Sequence, residues 1–294
     1  MLLISGNAGN FSYGAPPPPV TYTSYSGLTD LTPVAGWATV RRNPVYSGPA
    51  IEITDFTNAA NITDVYFDAN GALSGAVPYG ADARVTTIYD QFGSEDLTIS
   101  LATAPEVSGD DVLFTSWRVV FKRLGGFVAP SATDVNPAWK LGNTVWSLGI
   151  IRRDNSGLDL IWGVDSPSAY MEIGVWQEGP DLHCRINGGG PLDWSNTDWS
   201  IHSADVQNVL SRVVHDCFTT PAKGYMNGVD SLTYNFSSPI TYSTGRHLYL
   251  GGSSVMLGTP MLMDFTELVI FDATAALSTT NKDSLDAALD ELNA

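Results

Sequence analysis

From residue 112 onward the chain repeats one pattern: a short run of β-branched and aromatic residues, then a Gly- or Pro-rich break. The runs include Val112–Phe121 with Phe114, Trp117, Val119 and Phe121, then Thr144–Ile151, Leu158–Val164, Tyr170–Trp176 and Leu182–Ile186. Their spacing of about ten residues is what the strands of a β-sandwich require. Tyr225-Met226-Asn227-Gly228-Val229 sets Asn-Gly between two strand-like runs, a strong short-range hairpin signal. Arg246–Gly251 and Met261–Phe271 predict two more strands. Only the C-terminus reads helical: Ser278 or Thr279 can cap, and Leu285, Leu289 and Leu292 recur at helical spacing, with Ala288 beside them. The expected helix covers about 279–292.

Composition agrees with many turns. Of the 294 residues 44% are hydrophobic, enough for a core, and only 15% are charged. A net charge of −17 repels phosphate backbones and anionic lipid, so nucleic acid and membrane surfaces are not expected partners. No apolar stretch approaches the length of a membrane span. Ser5-Gly6-Asn7 ends the apolar Met1–Ile4 too early for a secretory signal, and Cys184 and Cys217 are too few for a disulfide framework. A chain that folds in a reducing cytosol fits these features.

Residues 1–20 differ from the rest. Ser5–Asn10 is Gly/Asn-rich and Pro16–Pro19 is a polyproline II segment. Such an arm cannot pack a core, and it is expected to be held by a neighbouring chain. Residues 21–294 are read as one domain.

Two regions resemble known families. Val40-Arg41-Arg42, Tyr46-Ser47-Gly48-Pro49-Ala50-Ile51, Phe67-Asp68-Ala69-Asn70-Gly71 and Val85–Gly93 with Tyr89-Asp90-Gln91 follow one another as in the opening of the arabinofuranosidase-B-type jelly roll. The same opening is widespread in head and tail proteins of tailed phages. Phe92 stands where that family has serine, and Ser94-Glu95-Asp96 replaces its Gly-Asn ending. Gly224–Val229, Leu248–Gly252, Phe265–Phe271 and the final helix are similar to the C-terminal half of concanavalin-A-like and laminin-G-like domains. The resemblance implies an all-β, concanavalin-A-like jelly-roll sandwich with one short C-terminal helix.

A glycosidase needs two carboxyls across the scissile bond. The Glu-x-Asp-x-x-Glu run of glucanases on this fold is absent, as is the Asp-Leu-Glu-Asn-Gly segment of the arabinofuranosidases. Glu172 is the nearest carboxyl and Glu178 the next; both are expected to be ordinary strand residues. His183-Cys184 and His215-Asp216-Cys217 offer no converging set of four zinc ligands, and the thiols are expected to pack as small hydrophobes. Asp68-Ala69-Asn70-Gly71 lacks the remaining ligands of a calcium loop and is read as a hairpin turn. Arg41, Arg42, Arg152 and Arg153 are expected to pair with surface acids. Trp194 and Trp199, with Asp193, Asn196 and Asp198, form a Gly/Pro/Asp-rich loop suited to stacking on a sugar while acids and amide bond its hydroxyls.

Together these readings predict a structural protein of a tailed-phage virion (capsid decoration, head fibre or tail component), assembled in the host cytoplasm. It would bind other virion proteins through the arm, form a homo-oligomer (a trimer before a dimer), and touch host surface glycans weakly. No catalytic residue, metal or cofactor is expected, and the chain is not expected to be an enzyme. The alternatives are a glycan-degrading hydrolase, or depolymerase, on the same fold and a carbohydrate-binding module outside any virus.

Overall fold

The computed structural model describes residues 22–73, 77–98, 106–108, 118–121, 127–129, 143–152, 158–166, 170–178, 181–186, 200–202, 210–219, 223–227, 229–233, 247–250 and 263–293. The strands of the first half are Leu31–Ala38 (β1), Ile51–Asp55 (β2), Asn58–Val65 (β3), Ala83–Ile88 (β4), Leu97–Thr98 (β5), Glu106–Ser108 (β6), Arg118–Phe121 (β7), Phe127–Ala129 (β8) and Thr144–Arg152 (β9). There follow Leu158–Ser166 (β10), Tyr170–Glu178 (β11), Asp181–Ile186 (β12), Ser200–His202 (β13), Leu210–Asp216 (β14), Lys223–Met226 (β15), Val229–Thr233 (β16), His247–Leu250 (β17) and Met263–Ala273 (β18). Among the described residues the one α-helix is Thr279–Asp290 (α1), which follows β18.

The pairings among these strands are antiparallel and sort into two layers. One runs β1–β18–β9–β14–β15–β16. The other runs β3–β2–β4–β5–β8–β17–β10–β11–β12–β13. β7 on β18 and β6 on β4 join them. Trp37, Trp146, Leu148 and Leu268 of the first layer meet Ile51, Ile53, Val85, Ile161 and Leu250 of the second in one buried cluster. The molecule is the all-β sandwich with a single C-terminal helix that the strand spacing predicts.

β18, in the middle of the first layer, is buried on both faces. Leu268 and Ile270 of β18 enter the inter-sheet core, while Val269, Phe271 and Ala273 face the other way and pack with Leu285 and Ala288 of α1. That is why Leu268–Phe271 in β18 reads as a continuous apolar run rather than an alternating one. The helix starts where expected: the Ser278 side chain accepts from Asn281 N at 3.1 Å, satisfying one of the orphan donors of the first turn. The expected turns are present as well. Asp68 Oδ1 accepts from Asn70 N at 2.8 Å and from Ala72 N at 3.0 Å, and Gly71 takes φ +85. Asn227, between β15 and β16, takes φ +49, a conformation that Asn tolerates better than most residues.

A bulge in β18 between Phe265 and Glu267 brings Thr266 and Glu267 opposite Gly149 of β9. A Cβ at Gly149 would stand 2.5 Å from Thr266 Oγ1 and 2.8 Å from Leu289 Cδ1, so only glycine fits. Gly149→Ala is expected to cost about 1–3 kcal/mol by overpacking, read as a lower urea midpoint. A midpoint equal to wild type would show that the helix side yields freely.

Glu267 is the centre of a buried ionic cluster beneath α1. Its Oε2 accepts from Arg42 Nε at 2.7 Å, and its Oε1 from Arg212 Nη2 at 2.9 Å and from Tyr25 Oη at 2.6 Å. Arg212 also donates to Ser147 Oγ. Arg42 further donates to Ala288 O at 2.6 Å, Glu291 Oε2 at 3.2 Å and Thr23 O at 3.2 Å. The last turn of α1 has no basic residue of its own, and this guanidinium serves its carbonyl end instead. The expectation for Arg42 is thereby corrected. It pairs with acids but is 0% exposed, because residue 42 follows β1 under the helix rather than over the surface. Its neighbour Arg41 lies 5.6 Å from the Phe67 ring centroid and donates to the carbonyls of Phe67 and Asp68. Arg152 ends β9, and Arg153 lies outside the described residues.

Candidate functional site

The three strands β3, β2 and β4 bury Ile51, Ile53 and Val85 in the core, and period-two alternation turns the intervening side chains to the outer side, where Thr54, Thr86 and Thr87 are nonetheless buried. On that outer side Ile62 is 56% exposed and Tyr66 55%, while Phe67, one residue on, is buried. Ala50, just before β2, donates to Val65 O at 2.7 Å and accepts from Tyr89 N at 3.0 Å. These bonds draw the ends of β3 and β4 to either side of β2, so Tyr66 and Tyr89 flank its beginning.

Tyr89 then reaches across β2, its Oη donating to Asp64 Oδ1 at 2.8 Å. Glu52 stands opposite both Asp64 and Thr87 in register and accepts from Thr86 Oγ1 at 2.5 Å and Thr87 Oγ1 at 3.3 Å. On the opposite, core-facing side Thr63 Oγ1 and Tyr79 Oη share a hydrogen bond of 2.6 Å. Tyr46 closes this end: its Oη donates to Pro49 O at 2.6 Å. A Cβ on Gly48 would come within 2.7 Å of that oxygen, so the ring needs glycine beneath it. At the far end of β4, Arg84 lies 5.0 Å from the Phe56 ring centroid.

Burial, then the charges of Asp96, Asp90, Tyr66 and Asp64, push the Tyr46 hydroxyl up to about 12. Burial, the hydrogen bond to Asp64 and the charges of Asp64, Glu52 and Asp96 push Tyr89 up too. Both phenols therefore stay protonated at neutral pH and act as donors. The face offers ring surface, hydroxyl donors and carboxylate acceptors side by side.

Sequence reading missed this face because its members lie in three separate strands. The available signal was alternation in Ile62-Thr63-Asp64-Val65-Tyr66-Phe67, which puts an aromatic on the same side as Asp64. Of the expected sugar contacts, Asp193, Trp194, Asn196, Asp198 and Trp199 lie outside the described residues. Glu172 and Glu178 lie on β11. His183 and Cys184 lie on β12 of one layer, while His215 is the penultimate residue of β14 of the other, with Cys217 just beyond the strand. Cys217 is buried and joins the core cluster; burial, reinforced by the charge of Asp216, pushes its thiol up, so it packs as an inert hydrophobe. Among the described residues no group of three His, Cys, Asp or Glu side chains could hold a metal ion.

No family model and no curated protein matches the chain. Solved structures do share its fold. A GH54 α-L-arabinofuranosidase variant soaked with 4-nitrophenyl α-L-arabinofuranoside superposes with a TM-score of 0.54 at 14% identity, over 88% of this chain and 63% of that one. An arabinofuranosidase complexed with arabinofuranosyl-α-1,2-xylobiose gives 0.52 at 13% identity over the same shares, 88% and 63%. Trypanosoma rangeli sialidase in complex with sialic acid gives 0.50 at 14% identity, over 78% of this chain and 36% of that one. The chain spans 63% of the length of the arabinofuranosidases it resembles.

The fold class is thus an all-β sandwich held in common with glycoside hydrolases. That finding overturns the expectation that the chain is not an enzyme. The expectation rested on the absence of a carboxylate pair within one short run. In a sandwich, however, strands far apart in sequence lie side by side, as β1 and β18 do here. Linear spacing therefore cannot exclude a two-carboxyl site.

Proposed function

We propose that the chain is a carbohydrate-active domain whose chemistry is glycoside hydrolysis, with arabinofuranose-bearing polysaccharides as the first substrate class. The observation that carries the reading is the exposed tyrosine–carboxylate face, set on a sandwich whose fold is shared with arabinofuranosidases. Hydrolysis requires one carboxyl to protonate the leaving oxygen and a second to act as nucleophile or base. Glu172 on β11, in the same layer as β2–β4, is the first candidate for one of these roles.

Wild-type protein should release reducing ends from arabinan or arabinoxylan. Glu172→Gln should lower that rate by at least about 100-fold, the lower bound for losing a general acid or base. Absence of release from every polysaccharide tried, including β-glucan and capsule polymers, would sink the hydrolase reading. The opening that resembles phage head and tail proteins extends the proposal to a virion-borne depolymerase. Mass spectrometry of purified particles tests that extension, and confinement of the chain to the lysate would end it.

A further inference from the structure

We propose that the outer face of β3, β2 and β4, centred on Tyr66 and Tyr89, binds a neutral polysaccharide, one whose sugar units carry hydroxyls but no carboxylate or sulfate. The inference rests on the carbohydrate reading above and specifies which class of glycan this face accepts. Three observations point to that occupant. Tyr66 and Ile62 present 55% and 56% of their surface to solvent, apolar area of the kind that covers the C–H face of a sugar ring. Beside them the Asp64 carboxylate is held by Tyr89 Oη at 2.8 Å, and Glu52 by two threonine hydroxyls. Each carboxylate has acceptor capacity beyond those bonds, which suits sugar hydroxyls.

Charge excludes the other glycans. Asp64, Glu52 and Asp96 bear on the same tyrosine, and the whole chain carries −17. A uronate or sulfate placed on this face would lie within a Debye length of several like charges. A protein partner or a second copy is less well matched: the face is crossed by hydrogen-bonded polar side chains, with Ile62 and Tyr66 as its main apolar surface. Single-site affinity should be about millimolar, since stacking and exposed hydrogen bonds leave a small surplus over ordering costs.

Affinity electrophoresis of the full chain in gels containing arabinan, arabinoxylan, dextran or polygalacturonate tests the proposal. At least one neutral polymer should retard the protein and polygalacturonate should not. Tyr66→Ala should weaken retardation at least about tenfold, and Tyr89→Phe by a smaller factor through loss of the bond to Asp64, each with an unchanged melting temperature. Retardation by polygalacturonate as strong as by the neutral polymers would overturn the proposal. So would a protein that releases reducing ends while Tyr66→Ala binds as wild type does, a result that leaves the hydrolase reading intact. Neither retardation nor release with any polymer would remove both. Loss of oligomers on a sizing column in Tyr66→Ala, with glycan binding unchanged, would make the face a subunit contact instead.

Discussion

Replacing Glu267 by alanine is expected to destabilise the protein by about 3–5 kcal/mol, the usual consequence of removing one partner from a buried ion pair. Glu267 is 0% exposed and is held by both Arg42 and Arg212, themselves 0% and 1% exposed. Its loss leaves two buried guanidiniums sharing one space. Glu291 and Asp286 reach them only from the rim, at 3.2 Å from Arg42 Nη1 and 3.7 Å from Arg212 Nε. In a chain this size the loss should lower the melting temperature by about 10 °C. Glu267→Gln should fall between, because the amide oxygen can still accept from Tyr25 while the charge is gone. An alanine variant melting at the wild-type temperature would mean that water already reaches the cluster.

The same residue gives the protein an acid limit. Burial pushes the Glu267 carboxyl up, but the guanidiniums of Arg42 and Arg212, with the Tyr25 hydroxyl, outweigh it and hold the carboxyl below the usual range. A folded-state pKa below the unfolded one means that the unfolded chain binds the extra proton. Stability from Glu267 is therefore complete above the unfolded value of about 4.3 and is lost as pH falls through the folded one. Removing Glu267 should flatten that part of the stability profile. The Tyr25 hydroxyl, pushed up to about 12 chiefly by burial, stays a donor throughout this window.

How much of this could be read in advance depends on how far apart the partners lie. Leu285, Leu289 and Leu292 marked the helix because one helical period brings them to one side, and all three are buried. Asp68 and Asn227 marked turns because a side chain or a left-handed residue acts on its own immediate backbone. Arg42 and Glu267 are 225 residues apart, and no local window joins them. A single acid inside the apolar run Phe265–Phe271 was the one hint that a buried cation waited opposite. Tyr66 and Tyr89 come to flank the start of β2 only because Ala50 bonds to Val65 on one side and Tyr89 on the other, a matter of sheet register rather than of spacing. The aromatic loop read as the sugar contact, Trp194 to Trp199, falls outside the described residues. Tyr66 and Tyr89, which directly follow β3 and β4, are the aromatic residues that support the proposed carbohydrate function.

Asp90→Ala is expected to cost about 3 kcal/mol, and the reason explains why Tyr89-Asp90-Gln91 is a mark of the fold rather than of a reaction. The Asp90 carboxylate is 3% exposed. Its Oδ1 accepts from Gly36 N at 2.8 Å and Phe92 N at 3.0 Å, and its Oδ2 from Glu95 N at 3.3 Å. Gln91 continues the same work, accepting from Arg42 N at 2.8 Å and donating to Val40 O at 2.9 Å and Ala38 O at 3.3 Å. The two side chains thus bond the loop after β4 to β1 and to the segment that delivers Arg42 beneath the helix. Truncation at residue 90 leaves several backbone N–H groups without an acceptor, at about 1–3 kcal/mol for each that water cannot reach. Burial raises the Asp90 pKa despite four N–H donors. The stabilising contribution of its carboxyl is therefore full at low pH and declines as pH rises through the folded value, opposite in sign to that of Glu267. Asp90→Asn should cost less than alanine, because one oxygen remains to serve Gly36 and Phe92 while the new amide faces the Glu95 N–H. Trp37 Nε1 donates to Glu95 O at 2.8 Å, so in a chain with eight tryptophans the difference in emission between the protein and its Trp37→Phe variant reports the loop during urea unfolding. If Asp90→Ala keeps the wild-type midpoint and the wild-type Trp37 signal, the loop is held by Gln91 alone and this account of the motif is wrong.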